Sequence, residues 1–520
     1  MTEPAPPPAN FNFAGHLVER SAAHAPRLAY IDDREELAYG ELVSRVRRFA
    51  AGLAALGVRR EERLLLISHD TVDWPVAFLG ALYAGVVPVA VNTLLAAADY
   101  AYMLRHSRAR AAVVSAALLP TLRQAVAEAG IELPHVIVSR ANGNVDGAHA
   151  FETMLREEAR ATADVLADEP AFWLYSSGST GRPKGTVHTH ANLYWTDATY
   201  GRGVLKLRED DVVFSAAKLF FAYGLGNALT FPLSAGAATL LLPDRPTPAA
   251  VFERLTARRS SVFFGVPTLY AGLLASPDLP ARTSTALRLA VSAGEALPRE
   301  IGERFSAHFG CDILDGIGST EMLHIFLSNR AGEVRYGTTG LPVPGYDVQL
   351  RGENGRDVGD GEIGDLYVRG PSAALMYWGN RDQSRATFQG EWTKTGDKYV
   401  RNADGYYVYS GRGDDMLKVS GQYVSPFEVE AVLMRHPAVL EAAVIGRIDA
   451  DGLTRTKAFV VLKPGRDADA RLEDELKGFV KDKLAPFKYP RYVEFVADLP
   501  KTATGKIQRF RLREHEQARK

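Results

Sequence analysis

Apolar runs and amphipathic segments alternate along most of the chain. Short apolar runs such as "ERLLLISH" and "SVFFGVP" have the length of buried strands, and each precedes a segment with helical spacing. A third instance is "LRLAVSAGE", which precedes "ALPREIGERFSAHFG". Strands that alternate with helices form parallel sheets covered by helices. The pattern therefore predicts an α/β fold for the larger part of the chain.

Several predicted strands end in small, polar or glycine-rich residues. The five stretches are "FWLYSSGSTG", "DVVFSAAKLFFAYG", "SVFFGVPT", "LRLAVSAGE" and "CDILDGIGSTE". Ligands of open α/β sheets bind beyond the carboxyl ends of the strands. We therefore expect these endings to meet in one crevice.

The pattern changes near Asp357, where short strands separated by glycines replace the helical segments. After Asp414 it predicts a helix, two strands, a second helix over about 467–483 and a final strand, a compact α+β unit of normal domain size. A chain of 520 residues also exceeds the size at which a single core keeps growing. We predict a large N-terminal domain, residues 1–413, that contains a small β-rich subdomain, and a small C-terminal domain, residues 414–520.

One uncharged stretch, Trp74 to Val91, approaches the length of a membrane span. Gly80, Gly85 and Pro88 interrupt it, so we predict a buried helix followed by a buried strand, and no membrane partner. The N-terminal "MTEPAPPPAN" lacks the basic and apolar regions of a signal peptide, and we expect a loose tail there.

Composition excludes some classes of protein. The formal net charge is −1, without the basic excess that nucleic-acid-binding proteins usually carry, so no nucleic-acid partner is expected. The single cysteine, Cys311, rules out an intramolecular disulfide and thiolate metal clusters. Its apolar surroundings predict an inert core position, and low cysteine use fits a reducing cytoplasm, so we expect a cytoplasmic protein.

The stretch "YSSGSTGRPKGTVHTH", from Tyr175 to His190, predicts a phosphate-binding hairpin. Its hydroxyls and backbone N–H groups would be donors, and Lys184 the fixed charge. It is not a Walker loop, because Pro183 has no N–H group and no Ser or Thr follows Lys184. His188 and His190 would share one face of a strand, but no third ligand lies nearby, so we predict structural roles for both.

This loop and five further motifs, in the same order, resemble the acyl-adenylate-forming superfamily of acyl- and aryl-CoA ligases, adenylation domains and firefly luciferase. The further motifs are "SAGEAL", "DGIGSTE", "TGD", "GRGDDMLKVSGQYVSP" and "LPKTATGKIQR". The resemblance covers nearly the whole chain, from Tyr39 to Arg509. It implies that a carboxylate attacks the α-phosphorus of ATP, that pyrophosphate leaves, and that the thiol of coenzyme A then takes the acyl group.

The resemblance also assigns roles to individual residues, with ATP, Mg²⁺ and coenzyme A as the implied cofactor and co-substrates. Lys506 would bridge the substrate carboxylate and the α-phosphate, Thr320 would touch that phosphate, and Glu321 would bind Mg²⁺. The β- and γ-phosphates would be held by Ser177, Ser179, Thr180 and Lys184, and adenine and ribose by Glu295, Asp315, Gly316, Asp397 and Arg412.

Taken singly, these residues also fit ordinary roles. Glu321 could be the acid of a helix start. Asp397 and Arg412 could be a surface pair, and Lys506 a solvated lysine. The order of the motifs favours the functional roles.

The same resemblance implies a mobile C-terminal domain. Asp414 would be the hinge residue, and Gly413 before it twists at little cost. Lys418 and Gly421 would face coenzyme A in the second half-reaction. Acetylation of Lys506 by a lysine acetyltransferase would remove the charge that the first half-reaction needs.

The acid-binding residues implied by the resemblance are Phe221, Ala222, Tyr223, Gly224, Ala293, Ile317, His324 and Ile325. Three aromatic rings around one alanine in "KLFFAYGLGN" favour a small, flat, apolar aromatic acid. If this stretch is a strand, one of Phe220 and Phe221 belongs to the core, because consecutive residues face opposite sides. The chain resembles bacterial benzoate–CoA ligases most, which implies an enzyme of aromatic compound degradation that forms benzoyl-CoA.

Other functions stay open at this point. A substituted benzoate or another small acid fits too, since one methylene is worth only about 1–3 kcal/mol in such a pocket. A stand-alone adenylation enzyme that loads a carrier protein shares the motifs, and a catalytically silent nucleotide-binding protein fits the charged residues least. For the assembly, a homodimer is the default expectation.

Overall fold

The computed structural model describes residues 4–141, 143, 145–156, 160–176, 182–413, 415–419, 422–449, 453–485, 487–501 and 507–518. At 418, 422 and 423 the description covers the backbone only. Within these ranges the chain forms two large sheets and three smaller ones, with helices packed around them.

The first sheet has eight strands among the described residues. The six strands from Pro170–Ser176 to His149–Ala150, in the spatial order given below, are parallel to one another. The strand Lys184–Thr189 is antiparallel to the strands on both sides of it. The strands of its parallel centre are almost entirely buried, as expected when helices cover both faces. In spatial order the strands are Met376–Tyr377, Lys184–Thr189, Pro170–Ser176, Val87–Ala90, Arg63–Ile67, Ala111–Ser115, His135–Ser139 and His149–Ala150.

The second sheet has nine strands in the described part of the chain. The six from Ile313–Gly318 to Leu28–Ile31 are parallel to their neighbours. In spatial order the strands are Leu341–Pro342, Ile325–Ser328, Ile313–Gly318, Leu289–Ser292, Val262–Gly265, Val212–Ser215, Ala238–Leu240, Leu28–Ile31 and Glu36–Ala38.

The five polar strand endings do not belong to one sheet. Pro170–Ser176 lies in the first sheet, and the other four strands lie side by side in the second. The apolar pattern identifies buried strands but carries no information on which strands pair. The five endings are therefore divided between two sheets rather than lying along the edge of one.

Helices cover the sheets in the order that the alternating pattern predicts. The uncharged stretch forms the helix Asp73–Tyr83 and the strand Val87–Ala90, every residue of which is buried, so that prediction is confirmed. None of the helices that the structure describes has both the length and the apolar character needed to cross a membrane.

The α-helices of the N-terminal part are Phe13–Ser21, Tyr39–Ala55, Asp73–Tyr83, Ala97–Ser107, Leu119–Ala129, His190–Thr196, Ala222–Leu225, Phe231–Ala235, Pro248–Thr256, Pro267–Ala275, Arg299–Phe309 and Arg381–Thr387. Two π-helical segments, Asp197–Leu205 and Gly226–Thr230, continue the helices before them. Short 3₁₀ turns lie at Ala22–His24, Ala116–Leu118, Phe151–Met154 and Arg282–Ser284.

The β-rich subdomain is an antiparallel sheet of the strands Asp347–Arg351, Ile363–Arg369, Phe388–Gln389, Trp392–Arg401 and Tyr407–Arg412. The C-terminal part contains the paired strands Leu417–Val419 and Gln422–Val424, and the strands Val439–Ile448, Thr454–Leu462 and Tyr492–Phe495. Its helices are Pro426–Leu433, Ala470–Lys481 and Arg509–Gln517. The predicted fold class, a large α/β part with a β-rich subdomain and a small α+β part, is confirmed.

The described part of the N-terminal tail is tied down. Tyr194 OH donates to the Ala5 carbonyl oxygen at 2.8 Å, and Ala167 N donates to the Ala9 carbonyl oxygen at 2.8 Å. The expectation of a loose tail is therefore wrong from Ala5 onward. Pro and Ala carbonyls remain acceptors even where a segment has no secondary structure.

Candidate active site

A lysine, a tyrosine and a glutamate meet where the two large sheets adjoin. Lys184 begins the strand Lys184–Thr189, and Tyr377 lies on the neighbouring strand, so the first sheet fixes both. Tyr377 OH donates to Glu321 Oε1 at 2.6 Å, while Lys184 Nζ lies 3.3 Å from the hydroxyl oxygen and 4.3 Å from the ring centroid. Burial lowers the pKa of Lys184, an effect that Glu321 opposes. A cation and an anion are thus held side by side in a partly buried cleft.

The loop that carries Thr320 and Glu321 is anchored to the first sheet. His188 Nε2 donates to the Thr320 carbonyl oxygen at 2.8 Å, since a carbonyl can only accept. The loop forms turns and no helix, so the reading of Glu321 as a helix-start acid is wrong. Within it, buried Leu323 has a φ of 65°, a left-handed conformation that is rare for a leucine and costs free energy.

His188 and His190 do not share one face of a strand, contrary to the prediction. The strand ends at Thr189, whose hydroxyl accepts the Asn192 N–H at 3.2 Å and caps the helix that begins at His190. His190 Nδ1 instead accepts the N–H of Phe13 at 3.2 Å. The sequence Thr-His-Ala-Asn is an N-cap signal, which outweighs the apolar run before it. Both imidazoles have structural partners, as expected.

Asp397 and Arg412 are cross-strand partners in the β-rich subdomain. Their α-carbons are paired in the register of Trp392–Arg401 and Tyr407–Arg412, and Arg412 Nη1 donates to Asp397 Oδ1 at 3.2 Å. Asp397 is 6% exposed, whereas the side chain of Arg412 is 47% exposed. The pair therefore joins a buried carboxylate to a solvent-accessible guanidinium rather than lying wholly on the surface.

The predicted adenine side is built from the second sheet. Asp315 is 4% exposed, burial raises its pKa well above the usual value, and its Oδ1 has no hydrogen-bond partner among the described residues. A larger residue in place of Gly316 would force its neighbours to shift, because a Cβ there would lie 2.9 Å from Ile325 Cγ2 and 3.0 Å from the Leu327 carbonyl oxygen. Glu295 Oε1 accepts the backbone N–H of Ile507 at 3.1 Å, which brings the C-terminal part of the chain against this side of the cleft.

The predicted acid-binding residues lie along the boundary between two hydrophobic cores. Phe221 and Ala222 pack against the core that contains Phe220 and Leu225. Ala293 and Ile325 belong to the second core, and Tyr223 and Ile317 pack against it. These six residues are therefore divided between the two cores.

The "KLFFAYG" stretch is not a strand, because residues 218–221 form a turn and the short helix Ala222–Leu225 begins directly after it. Phe220 is 4% exposed and Phe221 is half-buried, so one ring does belong to the core, but turn geometry and not strand alternation separates them. Lys218 Nζ donates to the Leu242 and Asp244 carbonyl oxygens, the latter at 2.6 Å, so its charge is engaged by that loop.

His324 and Gly224 fix the back of the predicted pocket. His324 Nε2 lies 3.3 Å from the Tyr223 carbonyl oxygen and 3.1 Å from Asn227 Oδ1, and burial lowers the pKa of His324 to about 3. The imidazole is therefore neutral at physiological pH. A Cβ on Gly224 would lie 2.0 Å from the Lys218 carbonyl oxygen, so this glycine allows a close backbone approach.

Several predicted site residues lie outside the described residues. They are Ser177, Ser179 and Thr180 of the hydroxyl-rich loop, the hinge residue Asp414, Gly421, and Lys506. For Lys418 only the backbone, on the strand Leu417–Val419, is described.

The residues on either side of position 414 are held by different parts of the protein. Gly413 N donates to the Gly396 carbonyl oxygen at 2.9 Å, within the β-rich subdomain. Asp415 accepts from Arg513 Nη1 at 2.6 Å, on the last helix of the C-terminal part. Asp415 N and Met416 N also donate to the Arg412 carbonyl oxygen, at 3.1 and 3.0 Å, so the contacts of the two parts overlap around this position.

Tyr377 is a site residue that the sequence reasoning missed. The stretch "LMYWGN" carries no charge and reads as one more short strand, and only the pairing of Met376–Tyr377 with Lys184–Thr189 brings the hydroxyl to Glu321. A tyrosine directly before Trp-Gly does not by itself indicate a site residue.

Cys311 is buried as predicted, and burial raises the pKa of its thiol to about 12, which makes it inert.

The chain belongs to the AMP-binding enzyme family. The model of that family, described as AMP-binding enzyme, matches residues 17–378, and the model of its C-terminal domain matches residues 428–506. The first matched segment contains Lys184, Thr320, Glu321 and Tyr377.

Individual relatives are similar over nearly their whole length. A benzoate–CoA ligase from Thauera aromatica is 55% identical over 510 residues, 97% of this chain and 96% of that protein. A 4-hydroxybenzoate–CoA/benzoate–CoA ligase from Rhodopseudomonas palustris is 49% identical over 97% of this chain and 94% of that protein. The crystal structure of a benzoate CoA ligase from Burkholderia xenovorans LB400 superposes with a TM-score of 0.91 at 61% identity, covering 97% of this chain and all of that one.

Proposed function

We propose that this protein is an ATP-dependent benzoate–CoA ligase that converts benzoate, ATP and coenzyme A to benzoyl-CoA, AMP and pyrophosphate through a benzoyl-adenylate. The observation that carries the proposal is the 61% identity to a benzoate CoA ligase of the same fold across 97% of the chain. The arrangement of charged groups in the cleft supports it, because two anionic reactants must be brought together.

The phosphate side of the proposed site is built on the first sheet. Lys184 would bind the β- and γ-phosphates together with Ser177, Ser179 and Thr180, and Thr320 would contact the α-phosphate. The support is positional: the lysine begins the strand that follows the hydroxyl-rich loop, and His188 holds the Thr320 loop against that strand.

Glu321 fits a magnesium ion. It offers a hard carboxylate in a partly buried position, with one oxygen already oriented by Tyr377, and Mg²⁺ in such sites commonly uses one or two carboxylates plus substrate phosphates. When bound, the ion would neutralise phosphate charge. Glu321 would hold it from the protein side.

Adenine and ribose would lie against the second sheet and the β-rich subdomain. The buried Asp315 Oδ1, which has no hydrogen-bond partner in the described structure, offers an acceptor to the amino group of adenine, and Gly316 and Glu295 flank it. Asp397 and Arg412 present a carboxylate and a guanidinium for the ribose hydroxyls.

Lys506 would bridge the benzoate carboxylate and the α-phosphate as the new bond forms. The support is that the neighbouring residue, Ile507, donates its N–H to Glu295 on the adenine side. A charge delivered there stabilises the negative charge that develops in the transition state. The domain boundary at 413/414, with Asp414 as the hinge, is supported by the side-chain contact of Asp415 with Arg513, on the last helix of the C-terminal part.

The acid would lie at the boundary between the two cores, in the pocket of Phe221, Ala222, Tyr223, Gly224, Ala293, Ile317, His324 and Ile325. Apolar and aromatic groups dominate this set, and its one imidazole is kept neutral by burial. A flat, uncharged ring suits these surroundings. The carboxylate would then face the cleft that carries the positive charges.

In the second half-reaction the C-terminal domain would rotate about Asp414 and present Lys418 and Gly421 to coenzyme A. In this rotated position Lys506 would be exposed and would be a target for a lysine acetyltransferase. Acetylation of Lys506 would stop the first half-reaction. A homodimer is proposed as the assembly on the general frequency of twofold symmetry alone.

Benzoate-dependent exchange of pyrophosphate into ATP, followed by release of benzoyl-CoA when coenzyme A is added, tests the proposal. Exchange without turnover by coenzyme A would instead indicate an enzyme that loads a carrier protein. The relative that uses both 4-hydroxybenzoate and benzoate favours 4-hydroxybenzoate as a second substrate. The ratio of kcat/KM for the two acids decides between them, and a higher value for a medium-chain fatty acid would contradict both.

A further inference from the structure

Tyr377 lies between the two charged groups of the phosphate side. Its hydroxyl donates to Glu321 Oε1 at 2.6 Å and accepts from Lys184 Nζ at 3.3 Å, so the lysine and the glutamate are bridged through one oxygen atom. Lys184 Nζ also lies over the face of the same ring, 4.3 Å from its centroid. The ring therefore contacts the cation twice, through its face and through its hydroxyl.

The position of this tyrosine is fixed from several sides. Its strand pairs with Lys184–Thr189, placing Tyr377 opposite Thr186. Its backbone N–H donates to Ser384 Oγ at 3.0 Å, and its ring packs on Phe388 at a centroid distance of 5.4 Å. The side chain is 2% exposed, so a rigid group holds the hydroxyl in place.

A lysine and a carboxylate in a partly buried cleft attract each other strongly. In a direct ion pair, the ammonium would weaken the attraction of the carboxylate for a metal ion. The carboxylate would likewise weaken the attraction of the ammonium for phosphate. An intervening hydroxyl donates to the carboxylate and accepts from the ammonium, and it brings no charge of its own that would neutralise either group.

We propose that Tyr377 is a positioning residue of the nucleotide half-reaction, which holds Lys184 toward the terminal phosphates and Glu321 toward the cation of Mg·ATP. This inference rests on the proposed function for the identity of the ligand. It goes beyond that function by assigning a role to a residue with no charge and no direct contact with the reacting atoms.

The test compares Tyr377→Phe with the wild type and with Tyr39→Phe. The first variant keeps the ring, its packing on Phe388 and the cation–π contact, and removes only the hydroxyl. Tyr39 is a matched control, because it too is buried and its hydroxyl donates to a carbonyl oxygen, that of Ala237, at 2.8 Å, away from the cleft. Thermal unfolding of both variants checks that each is folded.

Binding of Mg·ATP in the absence of acid, measured by calorimetry over a series of Mg²⁺ concentrations, is the direct measurement. We expect the Kd to rise about 10-fold in Tyr377→Phe, which corresponds to about 1.4 kcal/mol, and to remain unchanged in Tyr39→Phe. Benzoyl-CoA formation from synthetic benzoyl-adenylate should keep its wild-type rate in both variants.

An unchanged Kd for Mg·ATP in Tyr377→Phe would overturn the inference. Equal losses in both half-reactions would also overturn it, because they would indicate a general structural role. Failure of the wild type to exchange pyrophosphate with benzoate would count against the proposed function alone, since the difference in Mg·ATP binding does not depend on the acid.

Discussion

The backbone N–H of Ile507 donates to the carboxylate of Glu295 at 3.1 Å. One residue belongs to the C-terminal motif "TATGKIQR" and the other to "SAGEAL", more than two hundred positions earlier in the chain. A second contact joins the same two parts of the protein, between Arg435 Nε and Glu300 Oε1 at 2.9 Å. The C-terminal part is thus held against the side of the cleft where we propose that the adenylate forms.

This contact predicts that Glu295→Ala slows adenylate formation specifically. A hydrogen bond to a charged group is worth about 1.5–3 kcal/mol, so a loss of roughly 10-fold or more in benzoate-dependent pyrophosphate exchange is expected. Glu295→Gln retains an acceptor oxygen and should be closer to the wild type. Thioester formation from benzoyl-adenylate should not change in either variant, and a parallel loss in that assay would refute a role in domain closure.

Gly224→Ala should destabilise the protein and weaken acid binding. A Cβ at this position would lie 2.0 Å from the Lys218 carbonyl oxygen, so the backbone of the helix Ala222–Leu225 or of the turn before it must shift, at a cost of about 1–3 kcal/mol. Gly272→Ala is the matched control, because that glycine lies in the helix Pro267–Ala275 with nothing within 4 Å of the added atom. The control should gain roughly 0.5–1 kcal/mol. Equal free energies of unfolding for the two variants would contradict the close approach.

His188 should make the fold sensitive to acid. Burial lowers its pKa to about 4, whereas an unfolded histidine titrates near 6.5, so the unfolded state binds the extra proton first as the pH falls. Stability from this residue is present above pH 6.5 and is lost toward pH 4, with a limiting slope of about 1.4 kcal/mol per pH unit. His188→Gln keeps a donor for the Thr320 carbonyl oxygen but does not titrate. Urea unfolding between pH 7.5 and 5.5 should therefore show a shallower loss in the variant, and identical slopes would count against the assignment.

Sequence reasoning predicted most of the fold because apolar strands and amphipathic helices carry strong local signals. The helix and strand of the uncharged stretch, the β-rich subdomain and the α+β C-terminal part all follow from such signals. The division of the polar strand endings between two sheets does not follow from local signals, because strand pairing is set by packing between distant segments. The helix start at His190 depends on a local signal, the N-cap Thr189, which the apolar run before it obscures.

The candidate site likewise contains some residues that local sequence motifs indicate and others that depend on contacts between distant segments. Residues in motifs with unusual chemistry, such as Lys184, Glu321 and Asp315, can be identified from the sequence alone. Tyr377 cannot, because its role depends on a short strand pairing that brings an ordinary aromatic residue to two charges. The contact between Glu295 and Ile507 depends on how two domains dock, which no local pattern encodes.

The central claim is that a lysine from the C-terminal domain serves one half-reaction and leaves for the other. Comparison of the two half-reactions in Lys506→Ala tests it most directly. Benzoate-dependent pyrophosphate exchange should fall by about 10²–10³-fold, while benzoyl-CoA formation from synthetic benzoyl-adenylate should proceed at the wild-type rate. Equal losses in the two assays, or full exchange activity without the lysine, would contradict the account.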